Sequence, residues 1–251
     1  MLDTITILGI LVTFLLAGTV KGIIGLGLPT VSLALLTVTV GLPNAMALIL
    51  APSFITNLWQ AIVGDYGGMI LRRLWLFLLM TSVTVWLGAL ALTRVDLELL
   101  SGLLGLLIVV YSLVSLGGFS FTITKRQEAW LGPLAGSANG MLTGMTGAFV
   151  VPGVFYLQTI GLSRDMLVQA MGMLFTVSTL ALGISLQANN LLTVELGQMS
   201  LAALIPAIIG MVAGQRIRKK LSEKLFRKIF LISLLILGGY IVATAAYGIA
   251  R

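Results

Sequence analysis

The chain has 251 residues, 59% hydrophobic and 9% charged, with a formal net charge of +7 and a mean hydropathy of +1.12. A soluble domain carries roughly 25% charged residues, so a water-soluble globule is excluded, and the absence of alternating polar residues excludes an outer-membrane barrel. Neither cysteine nor histidine occurs, which removes disulfides, thiol chemistry and histidine-based metal or haem sites together, and no cofactor or metal is expected.

Read between turn signals, the apolar runs predict ten segments: 2–21, 24–40, 44–63, 70–92, 97–117, 128–143, 146–160, 165–187, 194–214 and 223–248. Runs such as Leu74 to Leu92 approach the roughly 18 to 20 residues that cross a bilayer as a helix, so the expected fold is all-α, a polytopic transmembrane bundle. The first segment opens with Asp3 and lacks a basic leading region, so it reads as a retained helix and not a secretory signal. Segments 24–40, 128–143 and 146–160 are short for full spans. Five crossings per half, or three with a re-entrant pair, both satisfy the pattern.

The chain repeats itself. GTVKGIIGLGLP at Gly18 to Pro29 is echoed by GSANGMLTGMTGAFVVP at Gly136 to Pro152. Aligning these pairs Gly18 with Gly136, Gly22 with Gly140, Gly25 with Gly144 and Gly27 with Gly147, and divides the chain into a repeat over 1–118 and another over 127–251, joined by a linker at 119–126. Glycine- and proline-interrupted hydrophobic stretches at corresponding places in two halves point to a transport site built from broken helices.

Seven of the basic residues fall in the loop 215–228, which the positive-inside rule makes cytoplasmic. An odd number of crossings per half then puts Arg72-Arg73, Lys125-Arg126 and Arg164 on the same side, and leaves Asp3, the Arg94-Asp96-Glu98 turn and Glu195 on the other. The halves are accordingly expected to be inverted repeats. Juxtamembrane basic residues attract anionic headgroups more readily than they bind nucleic acid here, so the lipid bilayer, and no nucleic acid, is the expected macromolecular environment.

These residues carry a resemblance. The early GTVKGIIGLGLP, a second glycine-rich copy after a central basic loop, and two similar halves resemble the sulfite exporter TauE/SafE family, also described as toluenesulfonate uptake permeases. The resemblance covers nearly the whole chain and implies a multi-pass transporter of the bacterial inner membrane, with sulfite, sulfoacetate or a related small anion as substrate. Nothing in composition or spacing points to sulfur by itself.

Lys21 is the only charged residue between Asp3 and Asp65. Its long stem could snorkel to the headgroups, or its charge could attract an anion; its place beside Gly22 and Gly25, where the helix should break, favours the second reading. The alignment pairs it with Asn139, a neutral donor and acceptor. Gly18, Gly22, Gly136, Gly140 and Gly144 stand at the spacing that lets membrane helices approach closely, while Gly25, Gly27, Gly144 and Gly147 could expose backbone amides to an oxyanion. Asn57, Gln60, Gln169 and Thr176 lie on counterpart segments; the three amides either line a cavity or bond between helices, while a lone threonine in a membrane helix usually bonds its own backbone. The candidate substrate contacts are therefore Lys21, Gly22, Gly25, Gly27, Asn57, Gln60, Asn139, Gly140, Gly144, Gly147, Gln169 and Thr176.

The function expected is secondary transport of small anions, in the direction of export, by alternating access around a site between the two repeats. A passive anion channel and a proton-coupled uptake permease are the alternatives. No enzyme is expected, because no nucleophile with a base or metal set is present. The glycine spacings fit a homodimer and internal packing equally well.

Overall fold

The computed structural model describes residues 3–118, 121–218 and 222–249. Leu2 of the first predicted segment, the first two residues of the linker 119–126, and Lys219 and Lys220 of the basic loop lie outside them. All regular structure among the described residues is helical: α1 (Thr4–Ile24), α2 (Leu28–Val40), α3 (Leu42–Leu48), α4 (Leu50–Ile62), α5 (Gly67–Ala89) continued by a 3-10 turn at Leu90–Thr93, α6 (Leu97–Gly117), α7 (Lys125–Thr146), α8 (Gly153–Thr159), α9 (Arg164–Ala188), α10 (Val194–Arg218) and α11 (Glu223–Ile249).

Six of these are long and apolar enough to cross a bilayer: α1, α5 with its 3-10 end, α6, α9, α10 and α11. Their outer faces carry bare apolar side chains, Ile5, Leu201 and Ile236 among them. That pattern suits hydrocarbon as solvent. The predicted segment 44–63 is two helices, α3 and α4, bent by 44° at Ile49. At 13 residues α2 spans only about 20 Å, short of the hydrocarbon core of about 30 Å.

Local chemistry sets the ends. Asp3 accepts a hydrogen bond from the Thr6 amide, Asp96 from the Glu98 amide and Ser163 from the Met166 amide, each supplying a carboxylate or hydroxyl to a helix start. Thr124 and Gln127 form a reciprocal capping box at the start of α7.

The chain forms two compact units, and these are not the sequence halves. One comprises Met1–Pro52, Val95–Gly118 and Leu191–Arg251; the other comprises Ser53–Arg94 and Phe119–Asn190. Both halves thus contribute to both units.

In the first unit α1 lies along α10, α6 along α11, and α2 and α3 pack beside them. A Cβ on Gly18 would meet the Ala207 carbonyl, and one on Gly22 the backbone from Met211 to Gln215; Gly210 and Gly214 return the approach against Leu15 and Thr19. Gly105 and Gly238 do the same for α6 and α11. Ser200 on α10 repairs the bend between α3 and α4. Pro52 has no N–H to give the Leu48 carbonyl, and the Ser200 hydroxyl donates to that oxygen at 2.9 Å while accepting from the Ala51 amide at 2.9 Å.

In the second unit α5 lies along α7, with α9 beside α5 and α8 against α7 and α9. Gly136, Gly140 and Gly144 bring α7 onto the backbone of α5 at Phe77, Thr81 and Val85, and Gly88 answers from α5 against Met141 and Gly144. Phe77 and Tyr156 stack at 4.9 Å between ring centroids, fixing α8 to this pair.

Candidate functional site

In each unit a helix stops at a left-handed glycine and resumes after a short break, α1 at Gly25 in the first and α7 at Gly147 in the second. In the first, α1 ends at Gly25 (φ 80°), whose amide donates to the Lys21 carbonyl at 2.8 Å, and α2 restarts after Gly27 (φ 106°) with Pro29 in its first turn. Only glycine takes these two φ values at little cost. Lys21 sits in the last turn of α1 and is 5% exposed. A cation there lies where the α1 carbonyls concentrate partial negative charge, which favours it.

In the second unit α7 ends at Gly147 (φ 73°), whose amide donates to the Thr143 carbonyl at 2.7 Å. The break to α8 is longer. Within it the Thr143 hydroxyl donates to the Ala148 carbonyl at 2.9 Å, the Ala148 amide donates to the Thr146 hydroxyl at 3.2 Å, and Val151-Pro152 is cis. Asn139 is fully buried, and its Oδ1 accepts from the Gly153 amide at 2.9 Å, tying the start of α8 to the middle of α7. Its Nδ2 has no hydrogen-bond partner among the described residues. Gly153 is required there, because a Cβ would collide with the Asn139 amide.

The caps and glycine contacts at the two breaks correspond at one offset, and it differs from the sequence alignment. The αL caps pair Gly25 with Gly147; the interhelix contacts pair Gly18 with Gly140, Gly22 with Gly144, and Thr19 with Met141, all at one constant offset. On the facing helices Ala207, Met211 and Gly214 match Thr81, Val85 and Gly88, again at one offset. Lys21 therefore corresponds to Thr143. The alignment on Gly18 and Gly136 slipped by one helical turn, since glycines four apart match almost as well one turn out.

The remaining candidates divide by what they touch. Gly22, Gly140 and Gly144 lie inside helices against neighbouring backbone, whereas Gly25, Gly27 and Gly147 stand at the breaks. Gln60 donates to the Val168 carbonyl at 2.8 Å. Gln169 donates to the Ala61 carbonyl at 2.9 Å and accepts from the Tyr66 amide at 3.1 Å, so both glutamines tie α4 and its following loop to α9. Thr176 donates to the Gly172 carbonyl one turn back. Asn57 is buried on α4. Lys21, Gly22, Gly25 and Gly27 belong to the first unit and the other eight to the second.

Sequence reading did not single out the ion pair of Arg73 with Glu128. The guanidinium meets both carboxylate oxygens at 2.6 and 2.7 Å and also donates to the Ile160 carbonyl at 2.7 Å, joining α5, α7 and the end of α8. It borders a groove of about 470 Å³ with Lys125, Trp75 and Tyr156. The two residues are far apart in sequence and belong to separate charged turns, so no local pattern links them.

Long apolar helices, glycines that bring helix backbones into contact, and a matched pair of helix breaks define a polytopic membrane protein of the transporter class. The chain belongs to the sulfite exporter TauE/SafE family, whose model matches residues 10–241. Comparison with curated proteins and with solved structures gives no match.

Proposed function

We propose that this membrane transporter carries small sulfur-containing or organic anions, of the sulfite and sulfonate type, outward across the bacterial inner membrane by alternating access. The observation that carries the reading is the equivalence of the two broken helices: α1 stopping at Gly25 and α7 stopping at Gly147, each seated by the same glycine contacts on its own partner helix. Inverted repeats with paired interruptions are the form such transporters take.

In this proposal Lys21 supplies positive charge beside the first break, and Asn139 supplies an amide donor beside the second. Gly25 and Gly27 let backbone approach an anion at the first break, Gly147 does so at the second, and Asn57 is a further polar candidate on α4 of the second unit. Gln60, Gln169 and Thr176 position α4 and α9. An inside-negative potential drives an exported anion by about 2.3 kcal/mol per charge per 100 mV, so no dedicated proton relay is needed. The basic stretch 215–228, which the structure divides between the end of α10 and the start of α11, is assigned to the cytoplasm by its charge.

The test is movement of labelled sulfite and sulfoacetate in proteoliposomes under an imposed potential. Saturable, counterflow-capable transport that weakens in Lys21→Ala supports the proposal. Absence of transport of both anions in the wild type removes the substrate class, and flux without saturation or counterflow establishes a channel instead.

A further inference from the structure

The first unit holds a second polar site that the transport reading does not use. A groove of about 310 Å³ opens between the end of α2, the start of α6 and the end of α11, lined by Thr37, Glu98, Ser101, Tyr240 and Thr244 over an apolar floor that includes Ile241. Among the described residues Glu98 is the only charged one lining it. Its carboxylate rests on the α11 backbone at Gly248, where any Cβ would displace it.

The hydrogen bonding makes the groove rich in acceptors. Ser101 has its hydroxyl proton committed to the Leu97 carbonyl at 2.7 Å, and Thr244 to the carbonyls of Tyr240 and Ile241 at 3.0 Å, so what these oxygens keep is lone pairs. Thr37 is 9% exposed, and its Oγ1 has no hydrogen-bond partner among the described residues. A buried polar atom left so costs free energy unless a ligand or water meets it. Together these groups call for a cationic donor.

The size and lining decide which cation. A bare metal ion needs a tight shell of oxygens, whereas this groove has the volume of a small organic molecule. No three acidic side chains gather to hold a metal among the described residues. A protonated primary amine offers three N–H donors to the carboxylate and hydroxyls, its carbon body lies on the apolar floor, and the Tyr240 ring adds cation–π attraction.

We propose that the groove between α2, α6 and α11 is a binding site for a primary ammonium group, held by Glu98 and Thr37. Such a group can come from a free amine or from the headgroup of an aminophospholipid. The experiment uses the full chain in nanodiscs of phosphatidylcholine and phosphatidylglycerol, titrated calorimetrically with propylammonium chloride.

Saturable binding is expected, weakened about ten- to hundredfold in Glu98→Gln by loss of a charge-assisted hydrogen bond, and weakened to a smaller extent in Thr37→Val, which keeps the side-chain shape. Tetramethylammonium and sodium should bind far more weakly, since neither has N–H donors. Native mass spectrometry after exchange into phosphatidylethanolamine identifies the source: retention lost in Glu98→Gln indicates a headgroup, and propylammonium binding without such retention indicates a free amine. The proposal is overturned if propylammonium does not saturate, if both variants bind as the wild type does, or if sodium or tetramethylammonium binds equally well.

Discussion

Replacing Gly144 with alanine should force α5 and α7 apart. The added Cβ would stand 2.5 Å from the Ala89 amide nitrogen and 2.8 Å from the Gly88 carbonyl carbon, with the Val85 carbonyl oxygen closer still. All three are backbone atoms, so no side chain can swing aside. Reaching ordinary contact requires the helices to separate by roughly an ångström, and overpacking of this kind costs about 1–3 kcal/mol. The better helix propensity of alanine returns at most about 1 kcal/mol. Net destabilisation is therefore expected.

Gly22→Ala makes the equivalent intrusion into α10 at Met211 and Gly214, and should cost a similar amount. Gly9→Ala has nothing within 4 Å of the new atom and should be neutral or slightly stabilising. The measurement is the unfolding midpoint of each purified variant in one detergent, by titration with a denaturing detergent or by heat. If Gly144→Ala and Gly22→Ala unfold with Gly9→Ala, the close-packing argument and the repeat register that rests on it are both wrong.

Ser200→Ala leaves the Leu48 carbonyl and the Ala51 amide without the partner that spans the bend, and should cost about 1–3 kcal/mol in the same unfolding assay; no loss would mean that the bend satisfies itself. Gln169→Leu removes the bonds to Ala61 and Tyr66, so hydrogen exchange of the loop at 63–66 should rise, and unchanged exchange would argue against its tethering role. Because the chain has no cysteine, single cysteines report topology cleanly: Asp96→Cys should react with an impermeant maleimide from outside intact cells and Arg126→Cys only after permeabilisation, and the reverse or equal reactivity would refute the proposed orientation.

The membrane class was legible from composition, because no soluble core could bury so many apolar residues. The glycine elements also announced the two breaks, since Gly25, Gly27 and Gly147 take backbone angles that other residues resist. Spacing could not choose among glycines four apart, however, and only the contacts with α10 and α5 set Lys21 against Thr143. The same limit applied to polar residues: Gln60 and Gln169 looked equally suited to a cavity or to a tether until their backbone partners on other segments were in place. Sequence by itself determined the apolar helical class and the two glycine breaks, because hydropathy and backbone freedom are local properties, whereas the bend at Ile49 inside the predicted segment 44–63 emerged only from the structure. Which small residues pack, which amides are spent, and which chain pieces form a compact unit were decided by tertiary structure, because each depends on a neighbour remote in sequence.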